Sequence, residues 1–156
     1  MATSLYHLDL SLVLEPRCSD TSPYVIVNVN DETIYKGYLD KTTTFNSVHR
    51  LPAQTNKLTV EFTNKTNQDT DLANNIDKAV IVESITFNRI TSPKFIWAGT
   101  YQPDYPEPWL SEQTVPPEKM LTAHNYLSWN GVWTLEFTTP IFTWIHQTEN
   151  LGWIYD

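Results

Sequence analysis

A chain of 156 residues is long enough for one domain with its own core and too short for two ordinary ones. Its formal net charge of −8 excludes nucleic acid as the main partner, because phosphate binding needs clustered Lys and Arg, and no apolar run is long enough to span a membrane. A single cysteine, Cys18, excludes an internal disulfide and a thiolate zinc site.

Charged residues make up 18% and aromatic residues 13% of the chain, a globular composition with a surplus of Trp and Tyr. These rings either fill a core or form an exposed platform for a sugar ring or a protein partner. The N-terminus, MATSLYHLDLSLVLEP, has no basic region ahead of its apolar residues and alternates as a strand does, unlike a signal peptide. Synthesis in a cytoplasm without a secretory signal is therefore expected.

In chain order, Leu8, Leu10, Leu12 and Leu14 follow the period-2 pattern of a strand with one buried face, and Pro16 is expected to end it. Residues 24–30 and 33–39 read as a hairpin turning at Asp31-Glu32. In KLTVEFT (57–63), Leu58, Val60 and Phe62 point inward. AVIVESITFNRI (79–90) forms a longer strand, bulged near Ser84. Residues 102–117 carry five prolines, so they form an extended surface segment, either a plain connection or a docking arm presenting Tyr105 and Trp109 on a stiffened backbone. Asn130-Gly131 between two β-rich runs predicts a hairpin, and Ile141–Ile145 a last strand.

The chemistry-bearing residues argue for binding. His7, His49, His124 and His146 lie at no metal-ligand or catalytic spacing. No nucleophile elbow or glycine-rich phosphate loop occurs in a chain with four glycines. Glu61, Glu83 and Glu136 all fall in expected strands, as a sandwich glycosidase requires, but also as a solvated sheet face shows. The loop from Asn64 to Asp77 is the candidate site. Asp69, Asp71, Asn74, Asn75 and Asp77 supply hard oxygen donors for Ca²⁺, although turn propensity explains the same residues. Tyr101, Tyr105, Trp109, Trp129 and Trp133 are the candidates for glycan or partner contact.

PYVIVNVNDETIYKGYL followed by KLTVEFTN, a polar loop and DKAVIVESITFN resembles the calcium-dependent xylan-binding and related carbohydrate-binding modules over residues 5–92. The match carries Asn28-Val29-Asn30-Asp31, Val60-Glu61-Phe62-Thr63-Asn64 and Asp77 to Asn88. The family's turn glycine is replaced here by Asp31, and its loop is shorter. The resemblance implies a non-catalytic, jelly-roll-like antiparallel β-sandwich with Ca²⁺ as cofactor, Asp71 and Asp77 as the first positions carried over among the candidate ligands Asp69, Asp71, Asn74 and Asp77, and a surface polysaccharide as partner. The remaining segments, a proline-rich arm over 93–125 and a C-terminal β-hairpin and strand over 126–156 packed on the same domain, have no counterpart in those modules. Together with the Thr- and Asn-rich composition they look similar to bacteriophage virion proteins. That likeness implies a virion location, as a capsid decoration or tail component contacting other virion proteins or copies of itself. A purely structural virion protein and a free-standing glycan-binding module are the alternatives.

Overall fold

The structure, a computed structural model, describes residues 4–149. Among them, strands form two antiparallel sheets packed face to face, the expected sandwich. Strand β1 (Tyr6–Arg17) is the spine of the first sheet. Its four alternating leucines are fully buried, and it pairs with β4 (Thr43–Leu51) on one side and β6 (Ala79–Phe87) on the other. The pairing with β6 skips Glu83, which places the expected bulge beside Ser84. Pro16 does not end β1. Pairing with β6 continues through Pro16 opposite Val80, but pairing with β4 stops at Leu14, so one side of the strand is open at the proline, and a missing N–H on an open side costs little.

The second sheet runs in the order β3 (Glu32–Tyr38), β2 (Tyr24–Val29), β5 (Gln54–Phe62), β11 (Gly131–Thr139), β8 (Thr100–Pro103) and β9 (Leu121–Thr122). The β2–β3 turn falls at Asn30-Asp31, one residue earlier than expected, because Val29 pairs with Glu32 and Asn30 takes the left-handed conformation (φ 54°). Short strands β7 (Ile90–Thr91) and β10 (Tyr126–Leu127) flank β6 in the first sheet.

The expected C-terminal hairpin is absent, and Tyr126–Leu127 and Gly131–Thr139 lie in different sheets. The Asn-Gly pair serves a crossing between layers. Gly131 passes so close to β8 that a Cβ there would stand 2.4 Å from the Gln102 carbonyl oxygen. Residues 141–145 are helical and not a strand. They open α2 (Ile141–Glu149), in which Ile141, Trp144 and Ile145 are buried, the i, i+3, i+4 spacing of one helix face. Their β-branched and aromatic composition masked that period. With α1 (Pro93–Trp97), started by Ser92 accepting the Lys94 N–H at 3.2 Å, α2 closes one end of the sandwich over Phe87, Phe95, Phe137 and Trp144, whose neighbouring rings lie 4.9–6.3 Å apart.

Residues 1–92 do not complete the sandwich, since β11 lies between β5 and β8 and its Trp133 and Leu135 belong to the core. Strands β5 and β11 carry the similar segments TVEFT (59–63) and TLEFT (134–138) and are direct neighbours, with Leu58 opposite Leu135 and Lys57 opposite Glu136. Trp133 donates its indole N–H to the His124 carbonyl at 2.9 Å and lies against Gly99, where a Cβ would come within 2.1 Å of the ring. Gly99→Ala is therefore expected to destabilise the fold by about 2 kcal/mol through overpacking, read as a lower urea midpoint at unchanged slope.

Candidate functional site

The loop between β5 and β6 folds as two 3-10 turns, Asn67–Asp69 and Leu72–Asn74. Its carboxylates face in opposite directions. Asp71 stays at the surface and caps the second turn, accepting the Asn74 backbone N–H at 3.3 Å and side-chain amide at 2.7 Å. Asn75 takes the left-handed conformation (φ 56°) that ends it. Asp69 and Asp77 turn inward.

Asp69 accepts hydrogen bonds from Ser19 Oγ at 2.6 Å, Thr66 N at 2.7 Å and Thr66 Oγ1 at 3.0 Å, and pairs with the Lys78 ammonium at 3.2 Å. Burial alone would raise its pKa. The Ser19, Thr66 and Lys78 donors outweigh that effect and hold it at about 2. Asp77 pairs with the Lys65 ammonium and accepts from Thr70 Oγ1 at 2.8 Å, Lys78 N at 2.9 Å and Tyr126 Oη at 2.8 Å. Its pKa is likewise lowered, with burial opposed by the bonds from Lys65, Tyr126 and Thr70. Burial and the Asp77 charge push the Tyr126 phenol up to about 12.

The same loop reaches across to the chain crossing before β11. Asn130 accepts the Lys65 N–H at 2.7 Å and donates its amide to the Lys65 carbonyl at 2.9 Å. The Lys65 ammonium lies 5.9 Å from the centre of the Trp129 ring, within cation–π range. Trp129 is held by the Tyr101 phenol, which donates to its carbonyl and accepts its N–H at 3.3 Å.

Facing Trp129 across a groove is the proline-rich arm, which is not uniformly extended. It makes a 3-10 turn at Leu110–Glu112 that brings Tyr105 and Trp109 into a stack, centroids 5.3 Å apart and planes 28° from parallel. The Tyr105 phenol is pinned to the Glu118 carbonyl at 2.7 Å. The groove has a volume of about 480 Å³, the size of a small-ligand site. It is lined by Asn67, Thr70 and Leu72 of the loop, Tyr105, Pro106 and Trp109 of the arm, and Ser128 and Trp129 of the crossing.

The structure thus joins the acidic loop and three of the predicted aromatic residues, Tyr105, Trp109 and Trp129, in one place. Tyr101 and Trp133 are corrected from contact residues to core residues, being 1% and 0% exposed: they lie on the inner face of the second sheet, and no ligand reaches them. Asp69, Asp71, Asn74 and Asp77 do not share a focus, and among the described residues no three carboxylates, imidazoles or thiolates converge as metal ligands do. The residues that sequence reasoning missed are Lys65, Lys78, Tyr126 and Asn130. A lysine at each root of an acidic loop was the available signal.

The strand glutamates make no catalytic pair. Register sets Glu61 opposite Val132, four residues from Glu136, which separates the carboxylates by roughly 14 Å against the roughly 5–9.5 Å that glycoside hydrolysis uses. Glu83 lies in the other sheet.

No protein-family model and no curated protein matches the sequence. Two solved structures are similar in fold. The selenomethionine form of vCBM60, solved in connection with a circular permutation that links two families of calcium-dependent carbohydrate-binding modules, matches at a TM-score of 0.51 and 13% identity, over 82% of this chain and 89% of its own. vCBM60 in complex with galactobiose matches at a TM-score of 0.49 and 14% identity, over 81% and 96%. The shared feature is the β-sandwich, and it extends well past residue 92.

The lowered Asp69 pKa sets an acid limit. Its contribution to stability is complete above the ordinary value of 3.8 and is lost as the pH falls through about 2. Unfolding free energies measured in urea across that range are expected to fall more steeply with acid for the wild type than for Asp69→Asn.

Proposed function

We propose that this protein is a non-catalytic carbohydrate-binding module whose ligand lies in the groove between the 64–77 loop and the proline-rich arm. The observation that carries this reading is the convergence of Tyr105, Trp109 and Trp129 with Asn67, Thr70 and Ser128 on one open groove. A sugar ring has an apolar face of C–H groups and an equator of hydroxyls. Aromatic faces cover the first, while amide and hydroxyl groups bond to the second. The fold likeness to vCBM60 supports the same class of ligand. Tyr105 and Trp109 are stacked on each other before any ligand arrives, so little side-chain freedom remains to be lost on binding.

Affinity gels and calorimetry against a panel of soluble polysaccharides and oligosaccharides, galactobiose included, test this reading. At least one glycan is expected to bind, and Trp109→Ala and Trp129→Ala are each expected to weaken it about tenfold, or about 1.4 kcal/mol. Trp97→Ala, an exposed ring (48%) outside the groove, is expected to leave affinity unchanged. Failure of every glycan to bind would sink the proposal.

A virion setting is a separate proposal. Beside the arm's prolines, Val115 and Met120 expose apolar side chains that do not line the groove, a surface suited to neighbouring virion proteins or further copies of the chain. Val115→Asp with Met120→Asp is expected to abolish incorporation into a particle while leaving glycan binding intact. Incorporation at the wild-type level speaks against that surface.

A further inference from the structure

The similar module belongs to work on calcium-dependent families, and the 64–77 loop is the acidic segment where a cation would be sought. The residues present do not fit one. Ca²⁺ needs six to eight oxygen ligands with free lone pairs, whereas a carboxylate offers about four such positions. At Asp69 they are taken by Ser19, Lys78 and two donors of Thr66. At Asp77 Oδ1 is taken by Lys65, Thr70 and the Lys78 N–H, while Oδ2 accepts from Tyr126 and keeps one position open. Each of these groups points a hydrogen at the oxygen, so an arriving cation meets positive charge at three of the four oxygens and one open position on Asp77 Oδ2.

Charge leads to the same result. Asp69 and Asp77 carry two negative charges and Lys65 and Lys78 two positive ones, so the cluster is neutral and offers a divalent ion no net attraction. Both lysine side chains are 3% exposed. A buried ammonium is held by its counterion, and uncovering either one is costly. Asp71 lies at the surface, bonded to Asn74, and its oxygens with the one open position on Asp77 fall short of the six that Ca²⁺ needs.

We propose that the ammonium groups of Lys65 and Lys78 hold this loop in place of a divalent cation, so that the groove wall is formed, and ligand is bound, without metal. Each lysine also ties the loop to something else. Lys78 donates to the Asn64 carbonyl at 3.3 Å, closing the loop across its base. Lys65 lies against Trp129, linking the charge network to the groove lining. The structural half of the inference stands on the loop alone, and its extension to ligand binding rests on the carbohydrate reading above.

The test uses the full chain. Its thermal midpoint, measured after exhaustive EDTA treatment and again with excess Ca²⁺, is expected to be the same, and calorimetric titration with Ca²⁺ alone is expected to show only heat of dilution. A midpoint that drops in EDTA and recovers with Ca²⁺ overturns the proposal. In Lys78→Met the midpoint in EDTA is expected to fall by several degrees and to stay there with excess Ca²⁺, because Asp69, still bonded to Ser19 and Thr66, supplies too few free oxygens. A variant as stable as wild type overturns the role given to the ammonium. If the variant does not fold, the two wild-type measurements still decide the matter. Glycan binding that disappears in EDTA defeats this inference and leaves the carbohydrate reading standing. A metal-indifferent protein that binds no glycan does the reverse.

Discussion

The pairing of β11 with β5 along the whole of Gly131–Thr139 is the constraint on which the remaining architecture depends. It brings the C-terminal part of the chain into the middle of the second sheet, puts Trp133 and Leu135 into the same buried cluster as the leucines of β1, and gives β8 an inner neighbour. Without it, β5 would be an edge and the inner face of the first sheet would lack much of its cover. Such long-range pairing is slow to close, but it makes one cooperative body from segments that the sequence presents as separate.

The groove follows from that insertion. Because the chain must cross from β10 in one sheet to β11 in the other, residues 128–130 pass over the sandwich edge beside the root of the acidic loop. Asn130 fastens the two by its reciprocal bonds with Lys65, and Tyr126, just before the crossing, is bonded to Asp77. The loop and the crossing are therefore positioned by buried and partly buried polar groups that satisfy one another. Such a network fixes geometry more than it adds stability.

Period-2 patterning made β1, β2 and β5 legible in the sequence because each buries one face only, and the β-rich run of β6, buried on both faces at its start, was legible down to the bulge beside Ser84. Three readings failed where local signals meet tertiary demands. The Asn130-Gly131 pair has hairpin chemistry, but its neighbours pair with different sheets, which no local pattern reveals. Ile141–Ile145 has strand composition, yet the apolar end of the sandwich selects its helical face. Pro16 interrupts a strand only where an N–H is needed. At the site, Tyr105, Trp109 and Trp129 were recognisable as a surplus of rings in polar company. Tyr101 and Trp133 were not distinguishable from them, because burial depends on register. Lys65 and Lys78 escaped notice because a lysine is read as solvated until a buried partner is seen.

The Tyr105–Trp109 stack is carried on an arm that is anchored by β8 before it and β9 after it and contributes little to the core between them. Mutational drift can therefore act on residues 104–120 almost independently of folding. The sandwich tolerates there the exchanges, insertions and lost rings that would unfold it elsewhere. Relatives of this protein should consequently diverge fastest along one groove wall while the opposite wall, bound to its lysines, stays the same. One scaffold could then acquire a succession of specificities by rewriting a single surface segment.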